Sequence, residues 1–315
     1  MTQVIALTGA TGFIGSALCR RLLAAGYRVR ALARSPGRLA PAPGLQVISG
    51  ALDDSHALAA LVDGADAVIY CAGSVRGRCL QDFRAANVDG LRALLAALGS
   101  RNPGARLLYF SSLVARAPGL SWYAESKAEG ERLLCGQHGT VDWTIIRPPA
   151  VYGTGDREMM PLFRLMARGV ALVPGDPGAR VSLLHIDDLV EATMAWLEQK
   201  VPPRQIFCLA DPVAAGYSWA EVAAIAARHF GRKVRLLRVP RPVLDSVANI
   251  NQWASGVLGY APMLTPAKLR ELRHPDWVCD YRAFADITHW QPRLDLTRGL
   301  ALTLPQPCSS TKEAA

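Results

Sequence analysis

The segment TGATGFIG, residues 8 to 15, stands between an apolar run, VIALTG (4 to 9), and an amphipathic one, GSALCRRLLAAG (15 to 26), that ends on a glycine. Each glycine in it has a physical job. Gly9 permits a tight turn, Gly12 lets backbone approach a pyrophosphate with no side chain in the way, and Gly15 lets the following helix pack close to the strand. Amide groups at the helix start, with Thr11, Phe13 and Ile14 completing the loop, then face phosphate charge. Strand, glycine loop and helix in that order predict the opening of a dinucleotide-binding α/β fold.

The first half of the chain continues the alternation. VRALAR (29 to 34), LQVIS (45 to 49), ADAVIYCAG (65 to 73), ARLLYFSS (105 to 112) and WTIIRP (143 to 148) have strand patterns. Between them SHALAALVDG (55 to 64), NVDGLRALLAALGS (87 to 100) and WYAESKAEGERLLCGQH (122 to 138) repeat apolar residues at helical spacing. This predicts an α/β fold with a Rossmann-type doubly wound parallel sheet. From about residue 150 the pattern is irregular and proline-bearing. The expected division is a nucleotide-binding domain over 1–150, with 181–210 returning to it, a smaller mixed substrate lobe over 151–300, and a flexible tail over 305–315.

Of 315 residues, 50% are hydrophobic and 19% charged, the balance of a compact chain and not of a disordered one. No stretch reaches the roughly 18 apolar residues of a membrane span, and no leader pattern is visible. A cytoplasmic location is the expectation. The seven cysteines are scattered, with no CxxC pair, which predicts buried reduced thiols and no metal site. The net charge of +9 comes mainly from dispersed arginine. It gives nucleic-acid binding little support; a solvated arginine-rich surface is the first explanation, and a field that suits a phosphorylated cofactor or an anionic small-molecule substrate the second.

The end of the second strand bears on the choice of nicotinamide cofactor. A carboxylate there would hold free ribose hydroxyls, but the chain has Arg34, then Ser35 and Arg38. Arginine suits a 2′-phosphate, so NADP is expected over NAD.

Tyr123 and Lys127 stand four apart in a helical pattern, so both project from one face. An adjacent ammonium favours the phenolate of a tyrosine whose ordinary pKa is about 10. A serine at the end of the preceding strand, Ser112 or its neighbour Ser111, can donate to a substrate oxygen.

TGATGFIG, Asn87 in NVDGLRALL, the strand-end serines, YAESK, RPPAVYGTGDRE (147 to 158), HIDDL (185 to 189), HPDWV (274 to 278) and HWQPRLDLTRGL (289 to 300) together resemble the short-chain dehydrogenase/reductase superfamily. The likeness is to its extended and atypical branch, the NAD-dependent epimerase/dehydratase family. It covers about residues 4 to 300. The resemblance implies Tyr123 as general acid/base, Lys127 on the nicotinamide ribose, Ser112 rather than Ser111 orienting the substrate oxygen, and Asn87 supporting the site. It also implies that Cys71, Ala72 and Gly73 pass beneath the cofactor and that Pro148 to Val151 line its nicotinamide side.

Two departures from the family pattern stand out. Where GDL, with an acid that contacts adenine, is common after the third strand, this chain has Gly50, Ala51 and Leu52 followed by Asp53, so the usual adenine contact is not in its place; Leu52 is counted with the cofactor-side residues. Serine and tyrosine are 11 positions apart, shorter than in many sugar-nucleotide epimerases of the branch. Arg147, Tyr152 and Arg180 are the substrate-side candidates, with structural pairing an equal reading of the two arginines. His185 with Asp187 and Asp188 is expected to open a helix, and Trp219 and Trp253 to pack internally.

The preferred expectation is an NADP-dependent oxidoreductase moving hydride between nicotinamide and a carbonyl or secondary alcohol. The alternative is a nucleotide-sugar epimerase or dehydratase with retained NAD. A non-catalytic cofactor-binding regulator or assembly subunit has no use for the serine, tyrosine and lysine together. A homodimer is a further possibility.

Overall fold

The computed structural model describes residues 2–137, 141–262 and 264–304. His138 and the tail over 305–315 lie outside them. In chain order the first half runs β1 (Val4–Thr8), α1 (Phe13–Ala24), β2 (Arg28–Ala33), β3 (Leu45–Ser49), α2 (Ser55–Val62), β4 (Ala67–Tyr70), α3 (Leu80–Arg84), α4 (Gly90–Arg101), β5 (Arg106–Phe110), α5 (Trp122–Cys135) and β6 (Asp142–Arg147). The second half adds β7 (Ala150–Tyr152), α6 (Met160–Ala167), β8 (Val170–Val173), β9 (Arg180–Val181), β10 (Leu183–His185), α7 (Ile186–Glu198) and β11 (Gln205–Cys208). It closes with β12 (Tyr217–Ser218), α8 (Trp219–His229), β13 (Arg235–Arg238), α9 (Arg241–Leu258), α10 (Pro266–Leu272), β14 (Asp276–Trp277), α11 (Arg282–Thr288) and α12 (Leu296–Thr303).

Seven strands form one sheet in the order β11-β6-β5-β4-β1-β2-β3. Every pairing in it is parallel. One face carries α1 and α7 over a core that includes Ile5, Leu7, Leu18, Leu22, Leu189 and Trp196. The other carries α2 and α4 through Ala6, Leu58, Leu61, Leu91, Leu94 and Leu98. Burial on both faces explains why the strands are apolar runs and not alternations. The sheet is therefore the doubly wound Rossmann type. Strand order reverses between β1 and β4, so the loops after these two strands flank the crevice where ligands of such sheets bind.

The predicted helix over 87–100 begins earlier. Between α3 and α4 the chain makes a π-helical turn, Ala85–Asp89, with Asn87 at its centre. Carbonyls displaced from the helical ladder by that turn find other partners. Tyr70 Oη donates to the Ala86 carbonyl at 2.6 Å and Tyr109 Oη to the Asn87 carbonyl at 3.3 Å.

Residues beyond β6 build a second core from Tyr152, Phe163, Trp219, Leu296 and Leu300. Small sheets β12-β9-β14, β10-β7 and β13-β8 frame it. Trp219 packs there, but Trp253 is 73% exposed on α9, contrary to its expected internal packing. Among the described residues no helix is long and apolar enough to cross a membrane.

Candidate active site

Gly9 has φ +72°, and a Cβ on it would meet the Ala72 amide nitrogen at 2.7 Å. A Cβ on Gly15 would strike the Gly9 carbonyl. Loop and helix therefore pack as closely as backbone allows. A Cβ on Gly12 would meet only the Gly9 carbonyl, at 3.2 Å, and Thr11 and Gly12 are exposed at the loop crown. Gly12 is the N-cap of α1, with no side-chain cap and no acid in the first turn. The opening amides are left to an outside anion, which a cofactor pyrophosphate would supply. Phe13 and Ile14, half-buried, turn back onto the core below the sheet.

Arg34 immediately follows β2 and Arg38 ends a short 3-10 turn; both are exposed. Among the described residues neither has a carboxylate within ion-pair distance. Leu52 is half-buried below the loop after β3 and lies where a Cβ on Gly90 would touch it, at 2.8 Å.

After β4, Thr8 Oγ1 accepts from the Ala72 amide at 3.1 Å and fixes the Cys71–Gly73 segment. A Cβ on Gly73 would lie 2.9 Å from Asn87 Oδ1 and 3.2 Å from Lys127 Nζ, so only glycine lets this backbone reach both groups. Asn87 is wholly buried. It accepts from the Ser74 amide at 3.3 Å and donates to the Ser74 carbonyl at 3.2 Å and to Ser126 Oγ at 2.9 Å. Ser126 in turn donates to the Tyr123 carbonyl at 2.9 Å. The sequence reading missed Ser126, although its place three residues after Tyr123 puts it on the same helical face.

Lys127 Nζ donates to the Phe110 carbonyl at 2.8 Å, and burial lowers its pKa to about 8. Burial also pushes the neighbouring Cys71 thiol up to about 12, partly offset by the lysine charge. Tyr123 is pushed up to about 12, first by burial; Ser112 opposes this by hydrogen bonding to the phenol, while Glu271 and Glu158 reinforce it. The expected depression of the phenol by Lys127 is absent from this geometry, because the ammonium is aimed at the Phe110 carbonyl.

The two serines separate cleanly. Ser111 is buried and donates to Glu131, which also receives Arg147 Nε at 2.8 Å and Nη2 at 2.5 Å. Ser112 is half-buried beside Tyr123. Arg147 is thus held in a half-buried ion pair with Glu131, the structural pairing that was the other reading of this residue. Arg180 is likewise committed elsewhere, donating to the Ala215 and Gly216 carbonyls at 2.7 and 2.8 Å. Tyr152 has no exposed surface and stacks edge-on against Phe163 and His185, so it is a core residue. Pro148 is buried with its carbonyl accepting from Leu113, and Val151 joins the core beneath. His185 caps α7, its Nδ1 accepting from the Asp187 amide at 3.2 Å. The cysteines are less buried than expected: Cys79 and Cys135 are exposed.

The open side of Tyr123 is walled by residues that the sequence did not flag. Phe83 lies 6.2 Å from its ring, and Lys268 Nζ lies 5.8 Å over it. Lys268 pairs with Glu271 at 2.6 Å, and Ser121, the N-cap of α5, donates to the same carboxylate. Across the mouth Arg76 pairs with Glu158 at 2.7 Å. These partners come from distant segments, so no spacing in the sequence announces them.

An uncapped, glycine-cradled helix start at the switch point of a doubly wound sheet, faced by a cluster of protic side chains, defines a dinucleotide-dependent enzyme. The chain belongs to the NAD dependent epimerase/dehydratase family, whose model matches residues 5–210. It is accordingly an NAD(P)-dependent enzyme of the reductase and epimerase kind. The ceramide reductase of Caulobacter vibrioides is 38% identical over 280 residues, 87% of this chain and 85% of that protein. A 3 beta-hydroxysteroid dehydrogenase/Delta 5→4-isomerase of Mycobacterium tuberculosis is 28% identical over 96% of this chain and 89% of its own. The structure of the UDP-glucuronic acid 4-epimerase of Bacillus cereus with UDP-glucuronic acid and NAD has a TM-score of 0.74. It covers 96% of this chain and 98% of that one at 19% identity, a likeness of fold.

Proposed function

We propose that the protein is an NADP(H)-preferring oxidoreductase that interconverts a ketone and a secondary alcohol on a large apolar molecule of the ceramide type. The observation that carries this reading is Ser112 beside the Tyr123 phenol, with buried Asn87 and Lys127 both lying against Gly73. The relatives add support, since ceramide reductase and hydroxysteroid dehydrogenase both name apolar substrates.

Bound nicotinamide supplies or accepts the hydride. The chain's own residues do the rest. Ser112 orients the substrate oxygen by hydrogen bonding, and Tyr123, protonated at neutral pH, gives its proton to that oxygen as the carbonyl carbon is reduced. Lys127 holds the nicotinamide ribose, and Asn87 fixes the loop beside it. Gly9, Thr11, Gly12, Phe13, Ile14 and Gly15 hold the pyrophosphate, while Arg34 and Arg38 grip a 2′-phosphate. Leu52 and the segments Cys71–Gly73 and Pro148–Val151 enclose the remainder. The lobe over 151–300 covers the substrate, and 181–210 returns to the nucleotide domain.

The deciding experiment gives the purified protein NADPH or NADH with a ceramide-type ketone and follows cofactor consumption against alcohol formed. Stoichiometric use of NADPH is expected. A tightly retained, non-exchanging NAD with no net consumption would replace this reading with the epimerase one.

A further inference from the structure

Helix α9 has the inverse of an ordinary surface helix. Its buried residues are Ala248 and Ser255, with Asn251 and Gln252 half-buried beside them. The opposite face carries Val243, Val247, Ile250, Trp253, Val257 and Leu258, exposed by 48% to 74%. At 100° per residue these six fall within one continuous sector of the helix. A contiguous apolar stripe of this length on an otherwise polar surface marks an interaction site.

What covers the stripe is indicated by charge. Between Glu221 and Asp245 the sequence has no acid, but it has Arg228, Arg232, Lys233, Arg235, Arg238 and Arg241. All four residues of β13, Arg235–Arg238, are exposed, and β13 leads directly into α9 through Pro240. Among the described residues none of these cations has a carboxylate within ion-pair distance. Asp245, the acid of α9, is paired with Arg273 at 2.7 Å. Apolar residues with a tryptophan, beside unneutralised arginines, match a lipid surface bearing anionic headgroups.

We propose that α9 and the basic segment 228–241 form a docking surface for an anionic bilayer, with α9 lying in the interface and not crossing it. The polar inward face, set with Asn251 and Gln252, keeps the helix attached to the protein. Its attachment leads toward the site: Asn251 donates to the Leu264 carbonyl at 2.8 Å, just ahead of α10, whose Lys268 lies over Tyr123. Docking therefore sets one helix between the lipid surface and the proposed catalytic tyrosine. The proposal goes beyond the oxidoreductase reading and does not depend on it.

The test floats the full-length protein with vesicles of phosphatidylglycerol mixed into phosphatidylcholine, and with vesicles of phosphatidylcholine alone. Binding to the anionic vesicles is expected to be about tenfold stronger or more, and to weaken as salt rises. The double variant Ile250→Glu, Trp253→Glu should lose binding with unchanged circular dichroism, since both side chains are exposed. Arg235→Glu with Arg238→Glu should lose only the preference for anionic lipid. In the unaltered protein, brominated lipid should quench tryptophan emission, a readout that needs no variant. Equal or absent flotation on both vesicle types overturns the proposal. So does sedimentation that shows a dimer broken by Ile250→Glu, Trp253→Glu without any vesicle binding, because a second copy would then be the occupant.

Discussion

Burial holds the Tyr123 phenol protonated up to about pH 12, which makes it a proton donor in neutral solution. Tyr123→Phe keeps the ring contact with Phe83 but removes the proton, so turnover should fall by about 10²- to 10⁴-fold while cofactor affinity stays within about twofold. Stopped-flow turnover and a cofactor binding isotherm check this; an active variant would remove Tyr123 from the mechanism. Lys127 makes a separate prediction. Its folded pKa, about 8, lies below the ordinary 10.5, so between these values the unfolded chain binds the extra proton. Stability should rise with pH across that window. Lys127→Met should lack the rise, seen as a thermal midpoint that climbs from pH 8 to 10.5 in the unaltered protein and not in the variant. At the other end of the crevice, Arg34→Ala should weaken NADP(H) binding by about ten- to a hundredfold, the worth of one or two hydrogen bonds to a charged group, and leave NAD(H) nearly unaffected. Equal loss for both cofactors would break the 2′-phosphate assignment.

At the scale of elements, the parts legible in the sequence are those set by local rules. The glycine loop and the succession of apolar strands follow from backbone sterics and burial on both faces, so TGATGFIG and LQVIS could be placed directly. The π-helical turn at Ala85–Asp89 could not, because its cause is tertiary: hydroxyls of Tyr70 and Tyr109, from two strands, take up carbonyls at 86 and 87. Gly130 on α5 belongs to the same assembly. A Cβ there would lie 2.6 Å from the Asn87 carbonyl and nearer still to Tyr109 Oη. Gly130→Ala should cost about 1–3 kcal/mol in denaturant unfolding, as overpacked sites do, and should lower kcat more than it raises KM by shifting Lys127 and Tyr123 together. A fully stable and active variant would show that α5 is free to move.

Across the whole molecule, the residues least legible in the sequence share one cause. Residue type and motif do not show the surroundings of Arg147, Arg180, Tyr152 and Trp253, which tertiary packing sets: Glu131 on α5 for Arg147, the 215–216 turn for Arg180, the second core for Tyr152, and, among the described residues, an open surface at Trp253. The lobe beyond β6 was the least legible for the same reason, since its short strands pair across long intervals. That layout also limits how the two parts can move. The chain passes between the large sheet and the lobe after β6, into α7 and again after β11, and Ser121–Glu271 and Arg116 to the carbonyls of 276 and 278 tie them once more. A jaw swinging on a single pivot would have to break these links together. Sliding by small amounts is the motion such multiple threading permits, so substrate entry should speed amide exchange at the rim near Arg76 and Glu158 and leave it unchanged at the seam around Glu271.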